Sequence, residues 1–138
     1  MVGHWRGWLA TGVDKGSLAA GARGQHADSA REVKHMVKMV ALYRRPANVE
    51  AFMAHYEQVH LPLVRQMPGL LKLEVNRMFH PKGGSVNPFL MAEMYFESRE
   101  SLLSAMNSEA GRKSGEDLKA FAGDLVQVFF ADVESEVL

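Results

Sequence analysis

Residues 48–63 read NVEAFMAHYEQVHLPL. Val49, Phe52, Tyr56, Val59 and Leu63 recur at spacings of 3, 4, 3 and 4, the apolar stripe of an α-helix. Asn48 stands just before the stripe and suits an N-cap, where its side-chain oxygen can accept a free N–H of the first turn. Glu50 places a carboxylate at the positive helix end. Pro62 has no N–H and disfavours helical geometry at Leu61, so the helix is expected to end or kink directly after His60. His55, Tyr56 and His60 then fall in the last turns, where a helix end meets a loop. Tyr56 and His60 are four residues apart and neighbours on a helix surface. His55 and His60, five apart, are not expected to share one helical face.

The segments on either side alternate instead. Met36 to Tyr43 reads as a strand with Val37, Met39, Ala41 and Tyr43 on one face. Met36, Val40 and Leu42 make its other face, interrupted by Lys38, so both faces are expected to be covered. Leu70 to Phe79 sets Leu71, Leu73, Val75 and Phe79 against Lys72, Glu74 and Asn76, a strand with one apolar face. Residues 80–88 hold two prolines, two glycines and an asparagine, and read as a long hairpin loop into the strand Phe89 to Phe96. Ser98 and Ser108 each stand where they can cap a helical piece, the second running to Phe121 with Leu118 and Phe121 inward and Gly123 closing it. Leu125 to Val133 is a fourth strand. The order β-α-β-β-α-β is that of an α+β, ferredoxin-like split unit, with helices over one face of a four-stranded antiparallel sheet. The other face is also apolar on its first and fourth strands. A second copy packing its own sheet there, as a two-fold homodimer, would cover it.

Residues 1–34 differ from the rest. They hold six of the twelve glycines and no sustained apolar period, and Trp5, Trp8 and Leu9 are their bulky apolar cluster. They read as a flexible N-terminal extension ahead of one domain over 35–138, with Met36 a candidate alternative start. At 138 residues, with 47% apolar and 23% charged residues, the chain suits one soluble domain. A formal net charge of zero offers no long-range attraction for nucleic acid or an anionic membrane. The absence of cysteine excludes disulfides, thiolate catalysis and Cys-ligated metal. No apolar run approaches the roughly 18 residues of a membrane span, and the default location is cytoplasmic.

His60 is the first candidate for chemistry, because imidazole can take and return a proton near neutral pH. Tyr56 lies on the apolar stripe, and its hydroxyl needs a partner when buried, from His60 or a ligand. His55, on the helix flank, is the third candidate. The two histidines lack an evident third partner for zinc, whereas a haem needs one axial ligand and His60 could supply it. Glu74 and Glu93 fall on neighbouring strands and suit ion pairs with Lys72 or Arg77 better than acid–base work. Arg44 and Arg45 are either solvated or placed to hold an oxygen of a substrate. There is no G-x-G-x-x-G after a strand and no Walker A, so no cofactor is expected from a nucleotide motif.

From Met36 to about Val133 the chain resembles the EthD family, of the dimeric α+β barrel superfamily. The resemblance rests on MVKMVALYRRP, HYEQVHLPL, PGLLKLEVNR, PFLMAEMYF, SRESL and NSEAGR, in that order. It implies the ferredoxin-like fold and the homodimer. His60 matches the family's most recognisable histidine. It further implies a reductase or oxidoreductase accessory tied to ether degradation, within a superfamily of cofactor-free monooxygenases, isomerases, cyclases and haem enzymes. The leading expectation is a small hydrophobic molecule bound between sheet and helices, with His60 as base and Tyr56 as its hydrogen-bond partner. A non-catalytic accessory module of an oxidative pathway and a haem protein are the alternatives.

Overall fold

The computed structural model describes residues 33–138. The expectations for the glycine-rich segment, Trp5, Trp8 and Leu9 included, lie outside the described residues. Strand β1 (Val33–Tyr43) opens three residues before Met36 and is followed by helix α1 (Val49–His55), a π turn (Tyr56–His60) and helix α2 (Leu61–Arg65). Strands β2 (Lys72–Arg77) and β3 (Leu90–Phe96), helices α3 (Arg99–Asn107) and α4 (Glu109–Ala122), and strand β4 (Val126–Glu136) complete the domain. The sheet order is β2-β3-β1-β4, with every neighbouring pair antiparallel. This is the ferredoxin-like α+β fold, in which β3 fills the gap between the two strands of a split β-α-β unit.

The alternation along β1 decides where the core lies. Val37, Met39, Ala41 and Tyr43 are buried and stand in register with Phe96, Met94, Ala92 and Leu90 of β3, which are buried as well. On β4, Phe130, Val128 and Val126 extend the same layer. Phe52, Tyr56, Leu61 and Val64 come down onto it from the first helical layer, and Leu102, Ala105, Met106 and Leu118 from the second. Burying an aliphatic or aromatic side chain of this kind contributes about 1.5–3 kcal/mol each.

The helix starts follow from local chemistry. The side chains of Asn48, Ser98 and Ser108 accept hydrogen bonds from the backbone N–H groups of Ala51, Ser101 and Gly111, at 3.0, 3.0 and 3.1 Å. Gly111 sits against the end of α3, where a Cβ would stand 2.1 Å from the Ala105 carbonyl oxygen.

The helix end is a correction to the sequence reading. The chain does not leave the helix after His60 but continues to Arg65. The winding loosens instead: the N–H of Leu61 donates to the carbonyl of Tyr56, five residues back. A π turn spreads the backbone ahead of Pro62, which has no N–H to give, and so lets the proline open α2 instead of ending the helix. Strand β2 is also shorter than expected. Leu71, Val75 and Phe79 are 60%, 39% and 80% exposed, because β2 is the sheet edge and its apolar face is only partly covered. Strand β4 runs three residues beyond Val133.

Candidate functional site

A cavity lies between the sheet and the helices. Its floor is Met39, Ala41 and Tyr43 of β1 with Ala92, Met94, Leu73 and Val128 of the flanking strands. Its roof is Tyr56, His60, Leu61, Val64 and Met67, with Ser114 and Leu118 of α4 closing one side. The space open to the centre of a water molecule is about 20 Å³, room for about one water. The walls are mostly apolar and include three methionines, whose unbranched side chains are adaptable.

Tyr56 and His60 are both buried, at 1% and 5% exposure, and their rings stack with centroids 5.8 Å apart. The Tyr56 hydroxyl has no hydrogen-bond partner among the described residues. Burial raises its pKa far above the usual phenol range, so the hydroxyl keeps its proton and can act as a donor. Tyr43, edge-on to Tyr56 with centroids 5.6 Å apart, is raised likewise, first by burial and then by Tyr56 and Asp117.

Asp117 of α4 joins the two histidines. Its Oδ1 lies 2.8 Å from His55 Nε2 and its Oδ2 lies 3.0 Å from His60 Nδ1. The π turn makes this possible. Its hydrogen bonds span five residues, so side chains five apart come onto one side, contrary to the expectation for a regular α-helix. Phe121, one turn after Asp117, lies 4.6 Å from the His55 ring centre and 5.1 Å from that of His60. Burial pushes the His60 pKa below its ordinary value, and the hydrogen bond and charge of Asp117 push back only in part. His60 is therefore neutral at neutral pH, in the form that can accept a proton.

Of the sequence candidates, His60 and Tyr56 line the cavity, and His55 reaches it only through Asp117. Asp117, Tyr43 and Phe121 carry no mark in the sequence reading as site residues. For Asp117 a signal existed: Ser114, Leu118 and Phe121 form the inward stripe of α4, and Asp117 is a carboxylate on that stripe.

The other candidates go elsewhere. Arg44 donates to the Asp124 carbonyl, and the guanidinium of Arg45 sits 5.6 Å from the centre of the Phe89 ring. Glu74 and Glu93 do face each other across β2 and β3, but on the sheet face away from the cavity. Glu93 pairs with Lys38 at 2.5 Å and accepts from Asn76 at 3.0 Å, instead of pairing with Lys72 or Arg77. Lys38 holds the Glu93 carboxyl below its ordinary pKa. Glu74 accepts from the Tyr95 hydroxyl at 3.1 Å and lies 3.6 Å from Lys72, while Arg77 pairs with Glu57. Among the described residues no group of three or more His, Asp or Glu side chains is placed to hold a metal ion.

The fold and site define a small ferredoxin-like α+β domain with a buried His–Tyr pair in an apolar cavity. A family model described as the EthD domain matches residues 44–124. An ethyl tert-butyl ether D (EthD) family protein from Bacillus halodurans C-125, of known structure, is 42% identical. Its similarity covers 70% of this chain and 96% of that one, with a TM-score of 0.65. An uncharacterized 11.0 kDa protein of the thcB-thcC intergenic region of Rhodococcus erythropolis is 30% identical over 100 residues, 72% of this chain and 97% of that one. An EthD-like protein from Ralstonia eutropha JMP134 shares the fold at 19% identity and a TM-score of 0.50, covering 75% of this chain and 91% of that one. The chain belongs to the EthD family.

Proposed function

We propose that the protein binds a small, largely apolar, oxygen-bearing molecule in this cavity, and that His60 moves a proton on it while Tyr56 donates to its oxygen. The observation that carries the reading is the Tyr56 hydroxyl, buried without a partner among the described residues and beside the buried His60 ring in a mostly apolar cavity. A buried hydroxyl left unpaired costs about 1–3 kcal/mol, and a ligand oxygen would recover that. Aldehydes, ketones and esters with a hydrogen on the neighbouring carbon have the matching chemistry. His60 takes that proton, the C–H electron pair moves to the carbonyl oxygen, and Tyr56 donates to the oxygen as charge gathers there. The proton returns from His60 to the oxygen, or to a different carbon of a conjugated enolate, to complete an isomerisation. The ethyl tert-butyl ether in the name of the Bacillus halodurans relative supports a small oxygen-bearing organic molecule as the ligand.

We also propose that two copies pair through the outer sheet face. Val40, Leu42 and Met91 are only half-buried there, and Phe129 is 44% exposed. A second functional reading has one observation in its favour. Space for about one water does not admit the proposed ligand without opening, which favours an accessory protein that turns nothing over.

Native mass spectrometry of the full chain, purified without added ligand, tests these readings together. The expected result is a dimer carrying a small organic adduct that is lost in His60→Ala and Tyr56→Phe. A folded His60→Ala variant that keeps the same adduct and the same turnover of small carbonyl compounds would overturn the role of His60. A dimer with no adduct and no such turnover would favour the accessory reading.

A further inference from the structure

We infer that Asp117 is a positioning residue that fixes His60 as the Nδ1–H tautomer, so that Nε2 is the basic atom of the site, and that His55 holds Asp117 in place for this task. The inference rests on the reading of His60 as the base. A carboxylate has lone pairs and no proton to give. Each of its oxygens lies within hydrogen-bond distance of a different imidazole nitrogen, at 2.8 and 3.0 Å, so each histidine donates to it. A neutral imidazole carries one N–H. On His60 that proton is therefore on Nδ1, and the lone pair is on Nε2. In water the opposite tautomer of histidine is the commoner one, so this choice belongs to the fold.

Three features make the arrangement selective. His60 is 5% exposed, so an Nδ1–H without Asp117 would have little water to turn to. Its ring packs against both Tyr56 and Phe121, with centroids 5.8 and 5.1 Å away, which limits its movement and leaves the tautomer to be set by Asp117. The second oxygen of Asp117 is engaged by His55, whose own ring lies on Phe121, so the carboxylate is held against rotation about its side-chain bond. The consequence for substrate is a pattern: of the residues that line the cavity, Tyr56 carries a hydroxyl donor, and His60, with its Nδ1 on Asp117, carries its acceptor at Nε2. A molecule that brings both an oxygen acceptor and a proton to give matches it, and a plain ether, which brings only the acceptor, matches half.

The test is a long-range proton–nitrogen NMR correlation on full-length protein labelled with ¹⁵N-histidine, at neutral pH, with His60 assigned by His60→Ala. The expected spectrum shows a pyrrole-like Nδ1 and a pyridine-like Nε2 on His60. In Asp117→Ala the pattern is expected to move to the Nε2–H form or to an averaged mixture, and in Asp117→Glu to be kept at least in part. A pyridine-like Nδ1 in the wild-type protein would overturn the inference without any variant. An unchanged His60 pattern in Asp117→Ala would overturn it as well. If the tautomer is as stated but His60→Ala keeps adduct and turnover, the base role fails while the assignment of Asp117 stands.

Discussion

Tyr56 and His60 face each other across the π turn with ring planes 27° from parallel, one offering a phenol O–H and the other an imidazole whose pKa burial has lowered. A hydroxyl donor and an imidazole thus lie side by side in a mostly apolar cavity, and most of what can be tested follows from that.

Tyr56→Phe removes a buried hydroxyl that has no protein partner and keeps the ring that stacks on His60. The expected outcome is a gain of about 1 kcal/mol in stability, because an unpaid desolvation is removed, together with a loss of bound adduct. Urea unfolding alongside native mass spectrometry reads both. A loss of 2 kcal/mol or more, on the order of a broken buried network, would show that the hydroxyl has a partner in solution.

Stability should fall with acidity in two windows. The pKa of His60 is depressed from its ordinary 6.5, so below that value the unfolded chain binds a proton that the folded one refuses. Stability contributed by neutral His60 is full above pH 6.5 and is lost as pH falls toward its folded value. Glu93 is depressed from 4.5 by Lys38, so its contribution is full above 4.5 and is lost as pH falls through its lower folded value. Urea midpoints measured from pH 8 to pH 3 check this, and His60→Gln should remove the first window alone.

Gly111→Ala should be severe although it adds one methyl. The new Cβ would meet the Ala105 carbonyl oxygen at 2.1 Å and that of Met106 at 2.7 Å, both backbone atoms that cannot rotate away. A loss of roughly 3 kcal/mol is expected, at the upper end of overpacking, with a matching drop in thermal midpoint. A variant as stable as the parent would mean that α3 and α4 can separate freely.

Phe129→Lys places a charge on the proposed pairing face at a position already 44% exposed, opposite Val40. The single domain should keep its circular dichroism and its unfolding transition. Sedimentation should show a dimer weakened at least tenfold, about 1.4 kcal/mol or more. A wild-type protein that stays monomeric at every accessible concentration contradicts the pairing itself.

What could be read without coordinates was what depends on neighbours in the chain. The alternation of Val37, Met39, Ala41 and Tyr43 and the caps at Asn48, Ser98 and Ser108 are local patterns that became the elements they indicated, and the 3-and-4 spacing from Val49 to Leu63 became helical throughout, with a π turn in its middle and Val59 left exposed. They were enough for the order β-α-β-β-α-β, and for placing Tyr56 and His60 at one spot, because four residues of helix bring them together. Only the tertiary structure decided the rest of the site. Asp117 lies 57 positions from His60, and its approach depends on how α4 crosses the first helical layer, which no single-segment period encodes. The π turn ahead of Pro62 lengthens the span of the backbone hydrogen bond and leaves Val59 of the stripe exposed, and across it His55 and His60 both reach one carboxylate. Composition and spacing thus determined the candidate residues, and the packing of α4 on a loosened helix decided which of them share a proton acceptor.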